Sequence, residues 1–347
     1  MDNLDFSRKY AQYSSPVLLR YEGNPLLQPV PHHPWESKAT FNPAALLLGR
    51  RVHIIYRAIG DSDISTLGYA ASRNGLDIDE RLNQPVYVPR EPFEGTSFSY
   101  SDEAEPPGEY ASGGGAFGGC EDPRLTRIRS RIYMTYVAYD GRSAPRVALS
   151  SISVSDFLNK RWRWKKPVLI SEPGIINKNA CIFPEKIRGK FVIFHRVFPD
   201  ILVDYVDDLD FDGRTRWLQA KDAIKPRVFF WDSLKVGAGA PPIKTDMGWL
   251  FIYQAVDDLD PQYHYKIGAM LLDLEDPATV LARGTVPVLE PRASYEFDGW
   301  KSGVLYPCGA VVIRGRLLVY YGASDKVTCV AIAELEPFME KLERHRT

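Results

Sequence analysis

Arg51-Val-His-Ile-Ile-Tyr56 is the stretch that decides the fold, because similar phrases recur along the whole chain. Each phrase begins with a basic residue or a glycine and continues through apolar residues to an aromatic residue or a histidine. The other copies are Arg131-Ile-Tyr-Met-Thr-Tyr136, Lys190-Phe-Val-Ile-Phe-His195, Gly248-Trp-Leu-Phe-Ile-Tyr253 and Arg316-Leu-Leu-Val-Tyr-Tyr321. They start 80, 59, 58 and 68 residues apart. Recurrence at such intervals indicates a repeat architecture of five units.

Each phrase is too short for a helix and is rich in β-branched and aromatic residues, so it predicts a buried strand. A second strand and a tight turn precede it, as in Val311-Val-Ile-Arg-Gly-Arg316. A third strand follows it, as in Ile267-Gly-Ala-Met-Leu-Leu272, and then an Asp and a further apolar stretch that suggest a fourth. Four antiparallel strands repeated radially make a β-propeller. The sequence therefore predicts an all-β protein, a five-bladed β-propeller.

The whole chain, residues 1–347, is expected to form one catalytic domain with short helical extensions. An N-terminal extension covers 1–20, with a helical pattern over 6–19, and a C-terminal helix covers 335–347. The first interval between phrases is the longest, and its extra length falls in 91–119, a segment rich in Gly, Ser, Pro and acids. Long irregular segments are usually functional lids or disordered linkers. Because this one leads into Cys120-Glu121-Asp122, we expect a loop near the site; a solvated insertion without a role is the alternative.

Charge and cysteine content exclude several classes of protein. The 43 Lys and Arg residues nearly balance 44 Asp and Glu, for a formal net charge of −1, whereas nucleic-acid-binding proteins carry a basic excess or stripe. No apolar run approaches the roughly 18 residues that span a bilayer, and residues 1–5 lack the character of a signal peptide. The four cysteines stand far apart with no CxxC pair, so a zinc site is not indicated. We expect a cytoplasmic protein with a small-molecule ligand, no membrane or nucleic-acid partner and no metal.

The repeat brings polar side chains from distant units to one level of the fold. The residue directly after the phrase is Arg57 in the first unit, Arg196 in the third and Gln254 in the fourth. Equivalent positions in a propeller lie around one axis, so these three side chains are expected to converge. Solvated surface arginines are the plainer interpretation of each one taken alone.

Acidic and basic candidates suggest a reaction on a glycoside. Glu121-Asp122-Pro123-Arg124 places two acids beside a proline, and glycoside cleavage needs a carboxylic acid that protonates the leaving oxygen. Asp122 can supply that acid. The cations Lys178, Arg196 and Lys235 suit an anion instead, because guanidinium forks and ammonium charges bind phosphate well.

In their order and spacing the motifs of this chain resemble glycoside hydrolase family 130, the β-mannoside phosphorylases and related β-mannosidases, which are five-bladed propellers. The resemblance covers nearly the full length. It is carried by Gly23-Asn24-Pro25, Phe41-Asn42-Pro43-Ala44, Tyr56-Arg57-Ala58, Glu121-Asp122-Pro123-Arg124, Phe183-Pro184-Glu185-Lys186-Ile187, Pro241-Pro242-Ile243-Lys244-Thr245, the stretch that begins Gly268-Ala269-Met270-Leu271-Leu272, and Tyr320-Tyr321-Gly322-Ala323-Ser324-Asp325.

The resemblance implies a role for each candidate residue. Asp122 matches the catalytic acid, which protonates the glycosidic oxygen through a sugar hydroxyl. Asn42, Arg57 and Asp325 match residues that hold the mannosyl unit on the nonreducing side. Gln254 stands where many phosphorylases have His, and Lys178 replaces an Arg. The expected substrate-binding set is Asn42, Arg57, Glu121, Arg124, Tyr306 and Asp325, and the expected phosphate-binding set is Lys178, Arg196, Lys235 and Gln254.

The implied reaction is inverting phosphorolysis of a β-mannoside, a manno-oligosaccharide or mannosyl-glucose, to α-mannose 1-phosphate. Inorganic phosphate is the co-substrate, so no cofactor is expected. Hydrolysis would need acids facing a water, and none stands at the three matched basic positions. A β-mannosidase, a non-catalytic sugar-binding propeller and, more distantly, a protein-interaction platform remain as alternatives. The sequence leaves open the linkage (β-1,2 or β-1,4), the acceptor sugar and whether the protein is a homo-oligomer.

Overall fold

The computed structural model describes residues 14–96, 110 and 112–346, and nearly all of their regular structure is β-strand, as predicted. In chain order the strands are β1 (Leu19–Arg20), β2 (Ala39–Leu48), β3 (Arg51–Ile59), β4 (Ile64–Ser72), β5 (Glu80–Arg81), β6 (Gly118–Ile128), β7 (Arg131–Tyr139), β8 (Arg146–Ser153), β9 (Val168–Leu169), β10 (Lys178–Ile182), β11 (Phe191–Val197), β12 (Asp200–Val206), β13 (Asp222–Ile224), β14 (Lys235–Ala238), β15 (Ile243–Thr245), β16 (Gly248–Val256), β17 (Tyr265–Leu272), β18 (Val280–Arg283), β19 (Leu305–Ile313), β20 (Arg316–Ala323) and β21 (Val327–Glu334). Two helices, α1 (Val154–Leu158) and α2 (Leu335–Glu343), and 3-10 turns at Pro92–Glu94, Gly113–Gly115 and Ser294–Glu296 complete the described part of the chain.

Within the described residues the strands form five antiparallel groups. The first is β2-β3-β4-β5 and the second β6-β7-β8-β9, and a short parallel pairing of β4 with β6 joins them. The third is β10-β11-β12-β13, and the fourth is β14-β16-β17-β18 with β15 also paired to β16. The fifth is β19-β20-β21-β1, so the first strand of the described residues completes the last group. Each copy of the repeated phrase lies in the second strand of its group.

The apolar core lies between the groups. One cluster of buried side chains joins Ile55 of the first group to Met134 of the second, and another joins Phe194 of the third to Phe251 of the fourth. Comparable clusters join the second group to the third and the fourth to the fifth. A further cluster, containing Ile54 and others, joins the fifth group to the first. Because side chains of a strand alternate between the two faces, each phrase contributes apolar residues to the cluster on either side.

The last residue of every phrase contacts a buried carboxylate. In four copies a tyrosine hydroxyl donates the hydrogen bond, and in the third copy a histidine nitrogen takes its place. The pairs are Tyr56–Glu36 (2.7 Å), Tyr136–Glu94 (2.5 Å), His195–Asp204 (2.7 Å), Tyr253–Asp232 (2.8 Å) and Tyr321–Glu296 (2.9 Å). A buried carboxylate needs such donors, because leaving it unpaired costs free energy. This contact, which we call the ring–carboxylate contact, fixes the end of the second strand in each group.

The ends of the chain differ partly from expectation. Residues 14–18 are not helical and Leu19–Arg20 pair with β21, so the predicted helix over 6–19 is wrong where it can be compared, because strand pairing prevails there. Residues 6–13 of that prediction lie outside the described residues, as do 97–109 and 111 of the 91–119 segment. At the C-terminus α2 ends at Glu343 and buries Phe338 and Leu342 against the core. None of the helices in the described residues is long and apolar enough to cross a membrane.

Candidate active site

A cavity of about 340 Å³ draws its walls from all five groups and the loops between them. Eight of the eleven side chains expected at the site line it. They are Asn42, Arg57, Glu121, Asp122, Lys178, Arg196, Tyr306 and Asp325. The remaining lining residues are Ser112, Gly113, Tyr265, Trp300, Lys301 and Val304. The repeat thus gathers residues that are far apart in sequence.

Irregularities in the first strands of three groups turn polar side chains into this region. The pairing register shifts between Phe41 and Ala44 in β2, between Glu121 and Arg124 in β6, and between Lys178 and Cys181 in β10. At these shifts three residues have left-handed backbone: Asn42 (φ 48°), Asp122 (φ 52°) and Asn179 (φ 58°). Asn and Asp tolerate that conformation better than other side chains do, and an extra residue in a strand redirects its neighbours. The Asn-Pro and Asp-Pro dipeptides of the sequence therefore mark the positions where side chains leave the regular ladder.

Arg57 organises the acidic part of the cavity. Its Nη1 donates to Oδ1 of Asp122 at 3.3 Å and its Nη2 to Oε1 of Glu121 at 3.2 Å. Nη2 also donates to the carbonyl oxygen of Gly113 at 2.7 Å, and Nε donates to Oγ of Ser65 at 2.9 Å. Although burial alone would lower the pKa of Arg57, the surrounding carboxylates raise it, so the guanidinium stays charged.

Asp122 is buried, yet one of its oxygens is well supplied with donors. Oδ1 accepts from Nδ2 of Asn42 at 2.7 Å as well as from Arg57. Among the described residues no donor contacts Oδ2, the oxygen free to carry a proton. Burial pushes the pKa of Asp122 up, but Arg57 and Arg124 and the Asn42 hydrogen bond together hold it below its usual range. These protein groups therefore favour the ionised form of Asp122 at neutral pH.

Asp325 lies in the turn between β20 and β21, with left-handed backbone (φ 53°). Its Oδ2 accepts a hydrogen bond from the backbone N–H of Gly114 at 3.1 Å. Burial raises the pKa of Asp325 to about 6, with a further contribution from the charge of Asp122 and an opposing one from Arg57. The two carboxylates thus differ in pKa: Asp122 is the stronger acid of the pair.

A group of cations surrounds Tyr265 at the cavity. Lys235 Nζ donates to the Tyr265 hydroxyl at 2.7 Å, and Lys301 Nζ lies 4.6 Å from the centre of the same ring. Although burial acts in the opposite direction, the charges of Lys235, Lys301 and Arg196 lower the pKa of Tyr265 to about 8. No carboxylate of the described residues lies within 4.0 Å of the cationic nitrogens of these three residues, whose charge is therefore unpaired in this part of the chain. We call Arg196, Lys235 and Lys301 the cation group.

Lys178 connects the acidic part of the cavity to the cation group. It pairs with Arg196 in the register of β10 and β11, and its Nζ lies 3.9 Å from Oε2 of Glu121. Glu121 also accepts from the Ser112 hydroxyl. The Glu121 carboxylate is consequently surrounded by cations and a hydroxyl, and it cannot activate a water without giving up these partners.

Arg124, expected to bind substrate, lies behind the cavity wall instead. Its Nη1 donates to the backbone carbonyl of Asp122 at 2.8 Å, and its Nε and Nη2 donate to the carbonyls of Gly239 and Ala238, each at 3.0 Å. Three backbone acceptors occupy the guanidinium, and the side chain is almost completely buried. Arg124 therefore ties the second group to the fourth below Asp122, and the substrate-binding expectation is corrected on this physical ground.

Gln254 and Lys235, both expected to bind phosphate, do not line the cavity. With its amide oriented to satisfy both ends, Gln254 donates to the carbonyls of Gly237 and Ala238 at 3.0 and 3.2 Å and accepts from Asn179 at 2.9 Å. Gly237 has no side chain, so the Gln254 amide fills the space beside it rather than the cavity. Gln254 is corrected to a supporting residue. Lys235 lies behind Tyr265 and acts on the cavity through its charge and that hydroxyl.

Several lining residues carried no signal in the repeat. Trp300 and Lys301 belong to the loop between β18 and β19, and Ser112 to the segment before β6. Trp300 is 70% exposed. It directly follows Asp298-Gly299, residue types that are common in loops. Tyr265 opens β17, outside the repeated phrase. Within the described residues no three His, Cys, Asp or Glu side chains are grouped to hold a metal ion.

The chain matches a known protein family and named relatives over nearly its whole length. The sequence profile of glycoside hydrolase family 130, described as beta-1,4-mannooligosaccharide phosphorylase, matches residues 18–344. The chain is 37% identical to a 1,2-beta-oligomannan phosphorylase of Thermoanaerobacter sp. (strain X514) over 92% of this chain and 98% of that protein. It is 35% identical to a beta-1,2-mannobiose phosphorylase of the same organism, again over 92% of this chain and 98% of the relative.

The fold is similar to that of a solved enzyme. A beta-1,2-mannobiose phosphorylase from Listeria innocua, in complex with beta-1,2-mannobiose, superposes with a TM-score of 0.71 at 24% identity, over 94% of this chain and 99% of that one. The profile match and the two relatives each extend over nearly the whole chain. On these matches the chain belongs to glycoside hydrolase family 130, whose named relatives are phosphorylases and therefore enzymes.

Proposed function

We propose that this chain is an inverting phosphorylase that cleaves β-mannosides with inorganic phosphate and releases α-mannose 1-phosphate. The observation that carries the proposal is the composition of the cavity: Asp122, with one oxygen that no donor of the described residues contacts, shares it with Arg196 and Lys301, which have no carboxylate partner among those residues. Unpaired cations beside a sugar site favour a bound anion. Phosphate is itself the nucleophile, so a second carboxylate that activates water is not needed.

In this mechanism an oxygen of phosphate attacks the anomeric carbon while the bond from that carbon to the glycosidic oxygen breaks. The electron pair of that bond goes to the glycosidic oxygen, which takes a proton delivered from Asp122 through a sugar hydroxyl. Attack from the face opposite the leaving sugar inverts the configuration, so a β-mannoside gives α-mannose 1-phosphate. The shortened sugar leaves with the proton.

The charge of phosphate explains how Asp122 can act as an acid. Burial alone would raise its pKa, but Arg57, Arg124 and the Asn42 hydrogen bond hold that pKa below the usual range, which favours the carboxylate. A dianion bound close to Lys178 and Arg196 opposes these cations and raises the proton affinity of Asp122. Phosphate binding would therefore supply the nucleophile and prepare the acid in one step.

We assign Lys178, Arg196 and Lys301 to direct contact with phosphate, with Lys235 acting through its charge and the Tyr265 hydroxyl. Asn42, Arg57 and Asp325 are assigned to the mannosyl unit. A buried guanidinium held by several acceptors is rigid, so it can present the same donors to each substrate. Trp300 offers an exposed ring on which a sugar can stack, and Tyr306 also lines the cavity. Glu121 keeps Arg57 and Lys178 in place.

For the linkage we propose β-1,2, because the two relatives that cover nearly the whole chain are named for β-1,2-mannosides. The name of the family profile refers to β-1,4-mannooligosaccharides, so β-1,4-mannobiose is the direct competitor. Initial rates on β-1,2-mannobiose, β-1,4-mannobiose and β-1,4-mannosyl-glucose at several phosphate concentrations test the proposal. Mannose 1-phosphate formation that saturates with phosphate is expected on β-1,2-mannobiose. Mannose release that ignores phosphate would make the chain a β-mannosidase.

We also infer that the five antiparallel groups are the blades of one propeller domain. Three features support this: the order of the strands in each group, the apolar clusters between consecutive groups, and the cluster that joins the fifth group to the first. Strand β1 beside β21 would then close the ring by completing the last blade. The cytoplasm is the proposed location, because all four cysteines are free and buried, as in proteins of reducing compartments.

A further inference from the structure

His195 departs from the other copies of the ring–carboxylate contact. The equivalent residue is tyrosine in the remaining four copies, whereas here an imidazole, 1% exposed, contacts Oδ2 of Asp204 through Nε2 at 2.7 Å. An ionised carboxylate can only accept, so Nε2 carries a hydrogen and donates to Asp204. Nδ1 lies within hydrogen-bond distance of the Asn177 side-chain amide, 2.8 Å from Nδ2 and 3.0 Å from Oδ1. The result is a buried Asn177–His195–Asp204 chain.

This chain of hydrogen bonds lies directly beside two cations of the cavity. Asn177 is followed in sequence by Lys178 and His195 by Arg196, and Lys178 pairs with Arg196 across β10 and β11. Just beyond Lys178 the pairing of these strands is irregular up to Cys181. Backbone hydrogen bonds between β10 and β11 alone therefore hold this end of β10 weakly. The side-chain contact between Asn177 and His195 is an additional link between the two strands at this point.

The chain is anchored at its far end. Asp204 lies on β12, and it also accepts from the backbone N–H groups of Gln219 and Ala220 at 2.8 and 3.0 Å. Burial would raise the pKa of Asp204, but His195 and these N–H groups hold it below the usual range, so it is a charged, fixed acceptor. His195 contacts both Asp204 and Asn177, so it connects this fixed acceptor to the residue that precedes Lys178.

We propose that His195 is a positioning residue for the phosphate site, which holds Lys178 and Arg196 at a fixed separation through the Asn177–His195–Asp204 chain. The inference rests on the proposed phosphorolysis, because it concerns the same cations. His195 itself does not line the cavity, so its effect is transmitted through its neighbours. Two cations that bind one anion together lose affinity when either moves, since small misplacements of binding groups are costly.

His195→Phe is the primary variant, because phenylalanine keeps a ring of similar size and removes both hydrogen bonds. Asp204 keeps its two backbone donors, which favours folding of the variant. We expect KM for phosphate to rise by at least about tenfold, with KM for β-1,2-mannobiose and kcat within about twofold of the wild type. A KM change at constant kcat indicates lost binding of that substrate. The His195→Gln side chain can still hydrogen-bond one of the two partners. Its KM for phosphate is expected to lie between that of the wild type and that of His195→Phe.

His53→Phe is the matched control. His53 is also a buried histidine inside a repeated phrase, and its Nδ1 contacts the Tyr69 hydroxyl at 2.8 Å, but it does not line the cavity. Its replacement is expected to lower stability and to leave KM for phosphate unchanged. Asn177→Ala is an independent variant that keeps the His195–Asp204 contact, and it is expected to raise KM for phosphate less than His195→Phe does.

A second measurement does not depend on turnover. A ligand that binds only the folded state raises Tm with its concentration, so inorganic phosphate alone is expected to raise Tm of the wild type and of His53→Phe, and to raise Tm of His195→Phe only at about tenfold higher concentration. Equal phosphate dependence in the wild type and in His195→Phe would overturn the positioning role while leaving phosphorolysis intact. A wild type that phosphate neither stabilises nor activates would overturn the proposed function, and this inference with it.

Discussion

The side-chain amide of Asn42 donates a 2.7 Å hydrogen bond to Oδ1 of Asp122, and this contact joins the irregular positions of two neighbouring first strands. Gly322 makes the contact feasible, because a Cβ at that position would lie only 2.0 Å from Oδ1 of Asn42. With Arg57 as the second donor, one oxygen of Asp122 is fixed and the other stays available. This geometry fits the proton transfer that we propose for Asp122.

Asp122→Asn is expected to abolish turnover while preserving the fold. The amide has nearly the same shape but cannot deliver a proton, and loss of a general acid typically costs a factor of about 10² to 10⁴ in kcat. Steady-state rates on β-1,2-mannobiose measure this, with Asp246→Asn, in an exposed turn before β16, as the control. A variant that retains more than about a tenth of the wild-type kcat would show that another group is the acid.

Asp325 is expected to make the ligand-free protein less stable as the pH rises. Its folded pKa of about 6 lies above the usual Asp value of about 3.9, so the folded state binds the proton more tightly. Stability from this group is therefore present at low pH and lost as the pH rises through the folded pKa. Between pH 5 and pH 7 the expected loss is about 1 kcal/mol.

Urea unfolding of the wild type and of Asp325→Asn at pH 5 and pH 7 measures this loss. The variant cannot ionise, so the difference in free energy of unfolding between variant and wild type should shift in favour of the variant by about 1 kcal/mol from pH 5 to pH 7. The variant is also expected to lose activity, since Asp325 is assigned to the mannosyl unit. A pH-independent difference would place the pKa of Asp325 outside this window.

Lys301→Gln is expected to weaken phosphate binding without weakening the fold. Lys301 lies at the cavity with no carboxylate partner in the described part of the chain, and its charge contributes to the low pKa of Tyr265. Hydrogen bonds to charged groups contribute about 1.5 to 3 kcal/mol, so KM for phosphate should rise at least about tenfold. Lys326→Gln is the control, because Lys326 is already paired with Asp298 at 3.1 Å. Equal changes of KM for phosphate in the two variants would show that Lys301 does not contribute to phosphate binding.

Trp300→Ala is expected to raise KM for the sugar and leave KM for phosphate unchanged. The ring is largely exposed at the cavity, and stacking of an aromatic ring contributes about 0.5 to 1.5 kcal/mol beyond buried area. An increase in KM of about two- to thirteenfold is therefore predicted. Phe229→Ala is the matched control, because Phe229 is 93% exposed and does not line the cavity. An unchanged KM for β-1,2-mannobiose in Trp300→Ala would contradict the stacking role.

The strands were predictable from the sequence because the repeated phrases share three properties of buried strands: they are short, mainly apolar and bounded by turns. The positions of Asn42 and Asp122 were also accessible, since the prolines that follow them mark irregular strand positions. In contrast, Arg124 and Gln254 could not be placed, because the side on which a residue projects beside an extra strand residue depends on tertiary packing. Gln254 shares a repeat position with Arg57, but the absence of a side chain at Gly237 draws it away from the cavity.

Trp300 and Lys301 show a different limit of sequence reasoning. They lie in a loop without periodic pattern, and their approach to the cavity depends on how the segment between β18 and β19 folds back. Tyr265 could not be predicted from the sequence, because its role depends on the start of β17 lying beside Lys235. These three residues became visible only once distances between units were known.

A time course of β-1,2-mannobiose cleavage followed by proton and phosphorus NMR tests the central claim most directly. In phosphate buffer, we expect α-mannose 1-phosphate to form first, with one phosphate consumed for each mannose released, and no cleavage when phosphate is omitted. Free mannose appearing at the same rate without phosphate, or the β-anomer of mannose 1-phosphate as the first product, would contradict inverting phosphorolysis at this site.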